Sequence, residues 1–203
     1  MSYNVIAFDI EPEPYIKIAK ACDVSVVKCD LERDELGITK ADCAVFTEVL
    51  EHQHYYYVPI VLAKINRCLK QEGVLILTTP NIASLFRRLR LLLGIQPIYE
   101  YHVREYTMND VIALVRATGF DVIKAYYSIV NDLMLIDAEP EDYLRISSFK
   151  DLVKIAIKKP AKLNILRTMA YPVIKLIPSL RQLIVVVARK IAKPTLKKPS
   201  RWG

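Results

Sequence analysis

Val45-Phe46-Thr47-Glu48-Val49-Leu50-Glu51-His52 is an apolar strand that empties into two carboxylates and a histidine. The design recurs at Leu75-Ile76-Leu77-Thr78-Thr79-Pro80-Asn81, a second apolar run stopped by a proline. His102-Val103-Arg104-Glu105-Tyr106-Thr107 then brings another histidine, and Gly119-Phe120 opens a further apolar stretch. Short apolar runs without polar alternation are the pattern of strands buried on both faces, as in a parallel sheet.

Outward from this stretch the same grammar holds. Residues 5–8 predict a strand that ends at Asp9, with Pro12 and Pro14 bracketing a turn and a helix over 15–21. Residues 24–27 predict a second strand, ending at Asp30, and 41–46 a third. Ile60, Val61, Leu62, Ile65 and Leu69 share one side of a helix over 59–69, with Gly73 as its expected C-terminal stop. A strand over 74–78 follows, then a helix over 108–117 capped near Thr107 or Asn109, with Gly119 just past its end. Residues 120–127 form the next strand. Strands alternating with helices imply an α/β fold: a mainly parallel sheet with helices on both faces.

The 203 residues suit one domain with a single core, 53% hydrophobic and 25% charged. Their net charge of +7 hides an asymmetry. Residues 1–149 hold 15 Lys and Arg against 21 Asp and Glu, whereas 150–203 hold 14 against Asp151 alone. A basic tail on an acidic body points to an anionic partner, lipid headgroups or nucleic acid; the alternative is a solvated basic face. Cys22, Cys29, Cys43 and Cys68 show neither a C-x-x-C pair nor metal-ligand spacing, so they read as small core hydrophobes in a reducing compartment. No signal peptide and no membrane-spanning stretch is expected. These readings place the chain in the cytoplasm, in solution or peripheral at the inner membrane face.

The succession of residues 45–52, 75–81, 102–107 and Gly119-Phe120 resembles the class I S-adenosylmethionine (SAM)-dependent methyltransferases, in particular the small-molecule branch that includes ubiquinone-type O-methyltransferases. Val186-Val187-Ala188-Arg189-Lys190 matches that family's closing strand. The resemblance implies a Rossmann-like sheet finished by an antiparallel hairpin of 120–127 with 183–189. A C-terminal helix over 180–191 is the competing reading, disfavoured by three consecutive valines. The resemblance also implies SAM as cofactor. Asp9 would take the ribose hydroxyls, Asp30 the adenine amine and the Leu31 backbone the ring, with Thr47 beside them. An aspartate after a strand is equally an ordinary turn former, so both roles stand open.

One piece of the family pattern is absent. Members open with a strand and a turn of the form D/E-x-G-x-G-x-G, where glycine lets the ligand approach the backbone. The five glycines here, Gly37, Gly73, Gly94, Gly119 and Gly203, are scattered, and only eight residues precede Asp9. The chain is therefore expected to start at the family's second strand, with the first strand missing. Three explanations stand: a misassigned start or interrupted gene, a degenerate homologue that does not bind SAM, or a partner polypeptide that supplies the strand.

Glu48, Glu51 and His52 share a face if a helix begins by Glu48, and His102 arrives on a later loop. This set resembles the divalent-metal constellation of small-RNA 2'-O-methyltransferases and some ubiquinone-type enzymes. Glu48, Glu51, His52 and His102 are thus candidate metal ligands for Mg, Mn or Zn. The same residues are candidate catalytic groups with either histidine as base, or structural caps and ion pairs. His54 and Tyr55 to Tyr57 are candidate pocket lining, and Arg104 with Glu105 a local ion pair.

The organisation that the resemblance implies is a methyltransferase domain over 1–192, N-terminally incomplete, with a basic helical insertion at roughly 140–180, and a disordered basic tail over 193–203. Tyr143, Phe149 and Tyr171 add interfacial aromatics to the insertion, which suits an anionic membrane surface through 149–201. Residues 85–93 suggest a similar lid beside the pocket. Together these favour a small acceptor, lipid-linked or a glycan, methylated on oxygen, with nitrogen the alternative. Nucleic acid is disfavoured, since stacking modules of common RNA-binding folds are absent. The competing function is a catalytically silent homologue serving as a membrane-surface or partner-binding subunit.

Overall fold

A computed structural model describes residues 3–134, 146 and 148–194. Tyr143, parts of the expected 140–180 insertion and nearly all of the expected 193–203 tail lie outside them. In chain order the elements are β1 (Val5–Asp9), α1 (Ile16–Ala21), β2 (Val24–Lys28), β3 (Ala41–Thr47), α2 (Val58–Cys68), β4 (Leu69–Pro80), α3 (Leu85–Leu92), α4 (Met108–Ala117), β5 (Phe120–Ser128), α5 (Phe149–Lys158), α6 (Lys162–Leu176) and β6 (Leu183–Lys190). No helix among the described residues is long and apolar enough to cross a membrane.

The strands form two sheets. β1 and β2 pair in parallel, Val5 opposite Val24 through Asp9 opposite Lys28. The second sheet has the order β3-β4-β6-β5, with β3 parallel to β4. β6 lies between β4 and β5 and runs against both, so it alone opposes its neighbours. The expected pairing of 120–127 with 183–189 is present, from Phe120 opposite Lys190 to Ser128 opposite Leu183. Its β-branched run sits in the sheet interior, where Val, Ile and their like pack best.

Register assigns the faces. Ala44 and Phe46 on β3, Leu75 and Leu77 on β4, Val186 and Ala188 on β6 share one face and enter the core beneath α2 and α4. The reverse face carries Val45, Ile76 and Val187, and Val45 is 67% exposed. No backbone ladder joins β1 to β3 among the described residues. The small sheet is held to the large one by packing that includes Phe8, Cys29, Leu31 and Leu36 in the core, and by one buried lysine. Lys64 of α2 donates to the carbonyls of Leu31 (2.9 Å), Glu32 (3.2 Å) and Asp34 (2.7 Å). A buried ammonium needs such partners, because an unpaired one carries a heavy desolvation cost.

Two expectations at the end of α2 need correction. The helix stops at Cys68, one residue short of the expected Leu69, and Gly73 lies inside β4 instead of closing the helix. The ladder with β3 shifts register there, between Ala41 and Cys43, and Glu72 takes a positive φ of 66°. A Cβ on Gly73 would sit 2.9 Å from the Lys70 carbonyl oxygen. The glycine therefore serves a bulge, which the sequence pattern cannot separate from a helix stop. Among the cysteines, Cys29 and Cys68 are buried as expected, but Cys22 and Cys43 are exposed. Thr107, not Asn109, caps α4 in a reciprocal pair with Asp110.

The turn from α4 into β5 is pinned by Asn66 of α2, which is fully buried and donates to the carbonyls of Thr118 (3.0 Å) and Ala192 (3.1 Å). Gly119 passes through this contact at φ +89°, where a Cβ would meet the Ala192 oxygen at 2.5 Å. Gly119→Ala combines left-handed strain with a backbone clash. It is expected to cost about 2–4 kcal/mol, read as a lower urea midpoint at unchanged m-value.

Candidate functional site

β3 and β4 end side by side, and the chain leaves β3 through a sharp turn. Glu48 takes a positive φ of 53°, and its N–H donates to the Thr78 carbonyl, extending the ladder by one step. Leu50–His52 then closes a single 3₁₀ turn. No helix begins at Glu48, so the expected shared helical face of Glu48, Glu51 and His52 is absent. The strand decides instead. Thr78 and Thr79 are neighbours on β4 and point to opposite faces. The Thr78 hydroxyl donates to Glu48 (2.7 Å) on the open side, and the Thr79 hydroxyl to Glu51 (2.9 Å) on the buried side.

Glu51, His52 and His102 come together: one ligand atom from each lies within 4.8 Å of the others. Glu48 is outside this group. The imidazoles meet edge to face, with ring centroids 4.9 Å apart. The loop that carries His102 is held by the Glu51 carbonyl, which accepts from the N–H groups of Val103 (2.9 Å) and Arg104 (3.2 Å). An isolated parallel bridge between Asn81 and Tyr106 ties its far end to β4.

Hydrogen bonding selects the ring tautomers. His52 Nδ1 faces the Tyr101 carbonyl at 3.0 Å, and a carbonyl only accepts, so Nδ1 carries the proton. His102 Nδ1 lies 2.8 Å from the Glu105 carboxylate and donates to it. Both rings in their neutral form thus keep an Nε2 lone pair for other work. His52 Nε2 is 4.0 Å from Glu51. Burial pushes the Glu51 carboxyl above its ordinary range, against the lowering by its backbone and Thr79 hydrogen bonds; nearby Glu48 adds to the rise.

Glu105 was read from the sequence as the partner of Arg104. Its side chain is in fact fully buried and pairs with Arg87 of α3 and with His102. Arg104 lies over the Tyr106 ring, 5.3 Å from its centroid, and over Tyr55 at 6.0 Å. The spacing of His102 and Glu105, three residues apart, was the one available signal for this orienting carboxylate. The expected pocket histidine, His54, is engaged by Glu32 through both its N–H (2.6 Å) and its ring (3.0 Å). Tyr55, Tyr56 and Tyr57 are exposed.

The candidate nucleoside ligands sit at the carboxyl ends of β1 and β2. Asp9 is the last residue of β1 and Asp30 lies two residues past the end of its parallel neighbour β2, where the Asp9 carbonyl accepts from the Cys29 N–H at 2.8 Å. Asp9 Oδ1 accepts from the Glu11 N–H (2.7 Å), and Oδ2 has no partner among the described residues. That carboxylate fits a vicinal diol. Asp30 fits less well for an amine, because Oδ1 accepts from the Glu32 N–H (2.9 Å) and Oδ2 lies 3.4 Å from Arg33. The Leu31 carbonyl is held by Lys64 and its side chain packs against the core, leaving the backbone N–H side to flank a ring. Thr47 stands exposed at the end of β3, opposite Thr78. No pair of closely spaced glycines cradles the opposite end of such a ligand.

Residues 2–125 match the family model described as a methyltransferase domain. The fold is similar to a TehB-like SAM-dependent methyltransferase from Corynebacterium glutamicum, at 14% identity and a TM-score of 0.52, covering 92% of this chain and 68% of that one. It is also similar to the 1,6-didemethyltoxoflavin-N1-methyltransferase of Burkholderia thailandensis, solved with S-adenosylhomocysteine, at 16% identity and TM-score 0.53, covering 94% and 62%. A SAM-dependent methyltransferase from Mesorhizobium loti gives 12% identity and TM-score 0.55, covering 92% and 80%. The chain thus spans under two thirds of the Burkholderia protein's length. Identities this low carry the fold alone. No curated protein matches the chain significantly.

The raised Glu51 carboxyl makes a signed prediction. Ionising it costs stability once pH rises above the ordinary carboxylate range, and below that range the protonated group resembles an amide. Glu51→Gln, which still accepts from Thr79, is therefore expected to be about 1 kcal/mol more stable than the parent at pH 7. The gain should shrink as pH falls through the unfolded-state value, in urea melts taken at several pH values.

Proposed function

Because the chain belongs to the methyltransferase-domain family, and so to the class I SAM-dependent enzymes, we propose that it methylates an oxygen of a small acceptor, lipid-linked or a glycan, whose hydroxyl is met by Glu51, His52 and His102. The observation that carries this reading is the convergence of Glu51, His52 and His102 at the carboxyl ends of β3 and β4, with one ligand atom from each within 4.8 Å of the others. In open α/β sheets that edge is where ligands bind.

SAM supplies a methyl group already activated on a sulfonium, so the protein's task is alignment and, for a hydroxyl acceptor, removal of a proton. Asp9 is the proposed ribose ligand, with Leu31 and Asp30 near the base and Thr47 toward the acceptor. His102 is suited to take the proton at Nε2, because Glu105 holds Nδ1–H and stabilises the charge that results. Glu51 and His52 orient the hydroxyl. The same three side chains form a donor set that suits Mg, Mn or Zn. A divalent ion held there would lower the pKa of an acceptor hydroxyl and relieve Glu51 of its burial cost. Glu48, turned to the other face with Thr78, is no ligand in this reading.

A second reading, a catalytically silent homologue that acts as a subunit, is favoured by the scattered glycines and the unjoined edges of β1 and β3. Calorimetric titration with SAM separates the two. The enzyme reading expects binding that Asp9→Ala weakens roughly tenfold or more. With a hydroxylated acceptor, His102→Ala should lower kcat by about 100-fold and leave SAM affinity nearly unchanged. A chelator that abolishes turnover, with rescue by one of the three metals, selects the metal over the histidine base. Absence of SAM binding by the folded chain rejects the enzyme reading for it.

A further inference from the structure

α5 and α6 form a helical hairpin whose outward surface has the wrong polarity for water. Ile165, Met169, Val173 and Leu176 recur at i, i+4, i+8 and i+11, which places them along one stripe of α6. That stripe faces solvent: Met169 is 72% exposed and Leu176 82%. The side turned inward carries Asn164 and Ile174, both buried, with Arg167, Thr168 and Tyr171 partly covered. A helix packed on a globular core shows the reverse arrangement.

The neighbouring helix supplies the charge. On α5, Leu152, Ile155 and Ala156 are buried in a small cluster with Tyr171 packed against it, while Lys150, Lys154 and Lys158 lie on the exposed side beside Ile157. Phe149 stacks on Tyr171, with ring centroids 5.7 Å apart. Over 149–176 there are seven Lys and Arg against Asp151 alone. Between the helices runs an open groove of about 350 Å³, lined by Val153, Ala156, Ile157, Pro160, Ile165 and Met169 among others. The hairpin therefore presents an apolar stripe and groove bordered by ammonium groups.

We propose that the α5–α6 hairpin docks the protein on an anionic lipid bilayer, with Ile157, Met169 and Leu176 entering the acyl boundary and the lysines meeting the headgroups. Charge complementarity argues for this occupant over a second copy of the chain, because two hairpins placed face to face would oppose cation to cation. The apolar stripe argues for lipid over nucleic acid, since phosphate contacts need no buried Met or Leu. Apolar burial and attraction to anionic headgroups are the two components of interfacial helix binding, and each Lys near the surface strengthens the second. The inference stands apart from the methyl-transfer reading.

Flotation of the full chain with vesicles tests it. Binding to phosphatidylcholine vesicles containing about one third phosphatidylserine should exceed binding to pure phosphatidylcholine roughly tenfold, and should fall when salt rises from about 0.1 to about 0.5 M. Lys150→Glu, Lys154→Glu and Lys158→Glu combined should remove the preference for anionic vesicles. Met169→Asp with Leu176→Asp should reduce binding at least tenfold at either salt. All five positions are exposed, so unchanged far-UV circular dichroism is expected and shows that the variants fold. Equal binding to neutral and anionic vesicles, or none to either, overturns the proposal. So does concentration-dependent dimerisation lost on Met169→Asp, or RNA binding insensitive to the apolar changes in place of vesicle binding.

Discussion

A carboxylate buried at the end of a sheet has to be compensated from all sides, and Glu51 is only 1% exposed. Its side chain is met by Thr79 from β4, and its carbonyl takes the N–H groups of Val103 and Arg104 from a loop that arrives some fifty residues later. Those two bonds, with the Asn81–Tyr106 bridge and the Arg87–Glu105 pair, hold that loop across the end of the sheet. With the loop in place, His102 is brought against His52, and Glu105 is buried where Arg87 and His102 both reach it. The site is thus a consequence of polar satisfaction in a low-dielectric corner, where an unpaired group costs most.

The same corner shows a conflict between stability and use. The carboxyl of Glu51 is raised by burial, so its ionised form is disfavoured within the fold. A cation or a protonated imidazole beside it would relieve that cost, and this is the physical basis of the role proposed for Glu51. Arg87 extends the network into α3, linking the site to the segment that begins where β4 ends.

The basic half of the chain obeys a different rule. β6 takes its β-branched run into the centre of the large sheet, and the helical hairpin ahead of it keeps its apolar stripe outside. One segment contributes core to the domain and the other contributes a surface. The division falls between Leu176 and Leu183, where Pro178 starts a single 3₁₀ turn and ends helical propagation.

Strand identity, strand order in the chain and the antiparallel closing pair were legible in the sequence because apolar runs, prolines and consecutive valines are local signals. So were His52 and His102 as a candidate pair, from the residue types alone. What the sequence could not decide was direction. Glu48 parts from Glu51 because adjacent threonines on a strand face opposite ways, and Glu105 leaves Arg104 for Arg87 because a buried carboxylate takes the partner that can reach it. Gly73 belongs to a bulge because β4 advances five positions, from Leu69 to Val74, while β3 advances two, from Ala41 to Cys43, a mismatch that only the pairing of the two strands reveals. Local chemistry determined which elements form; which side chains meet was settled only when non-local pairing fixed the faces.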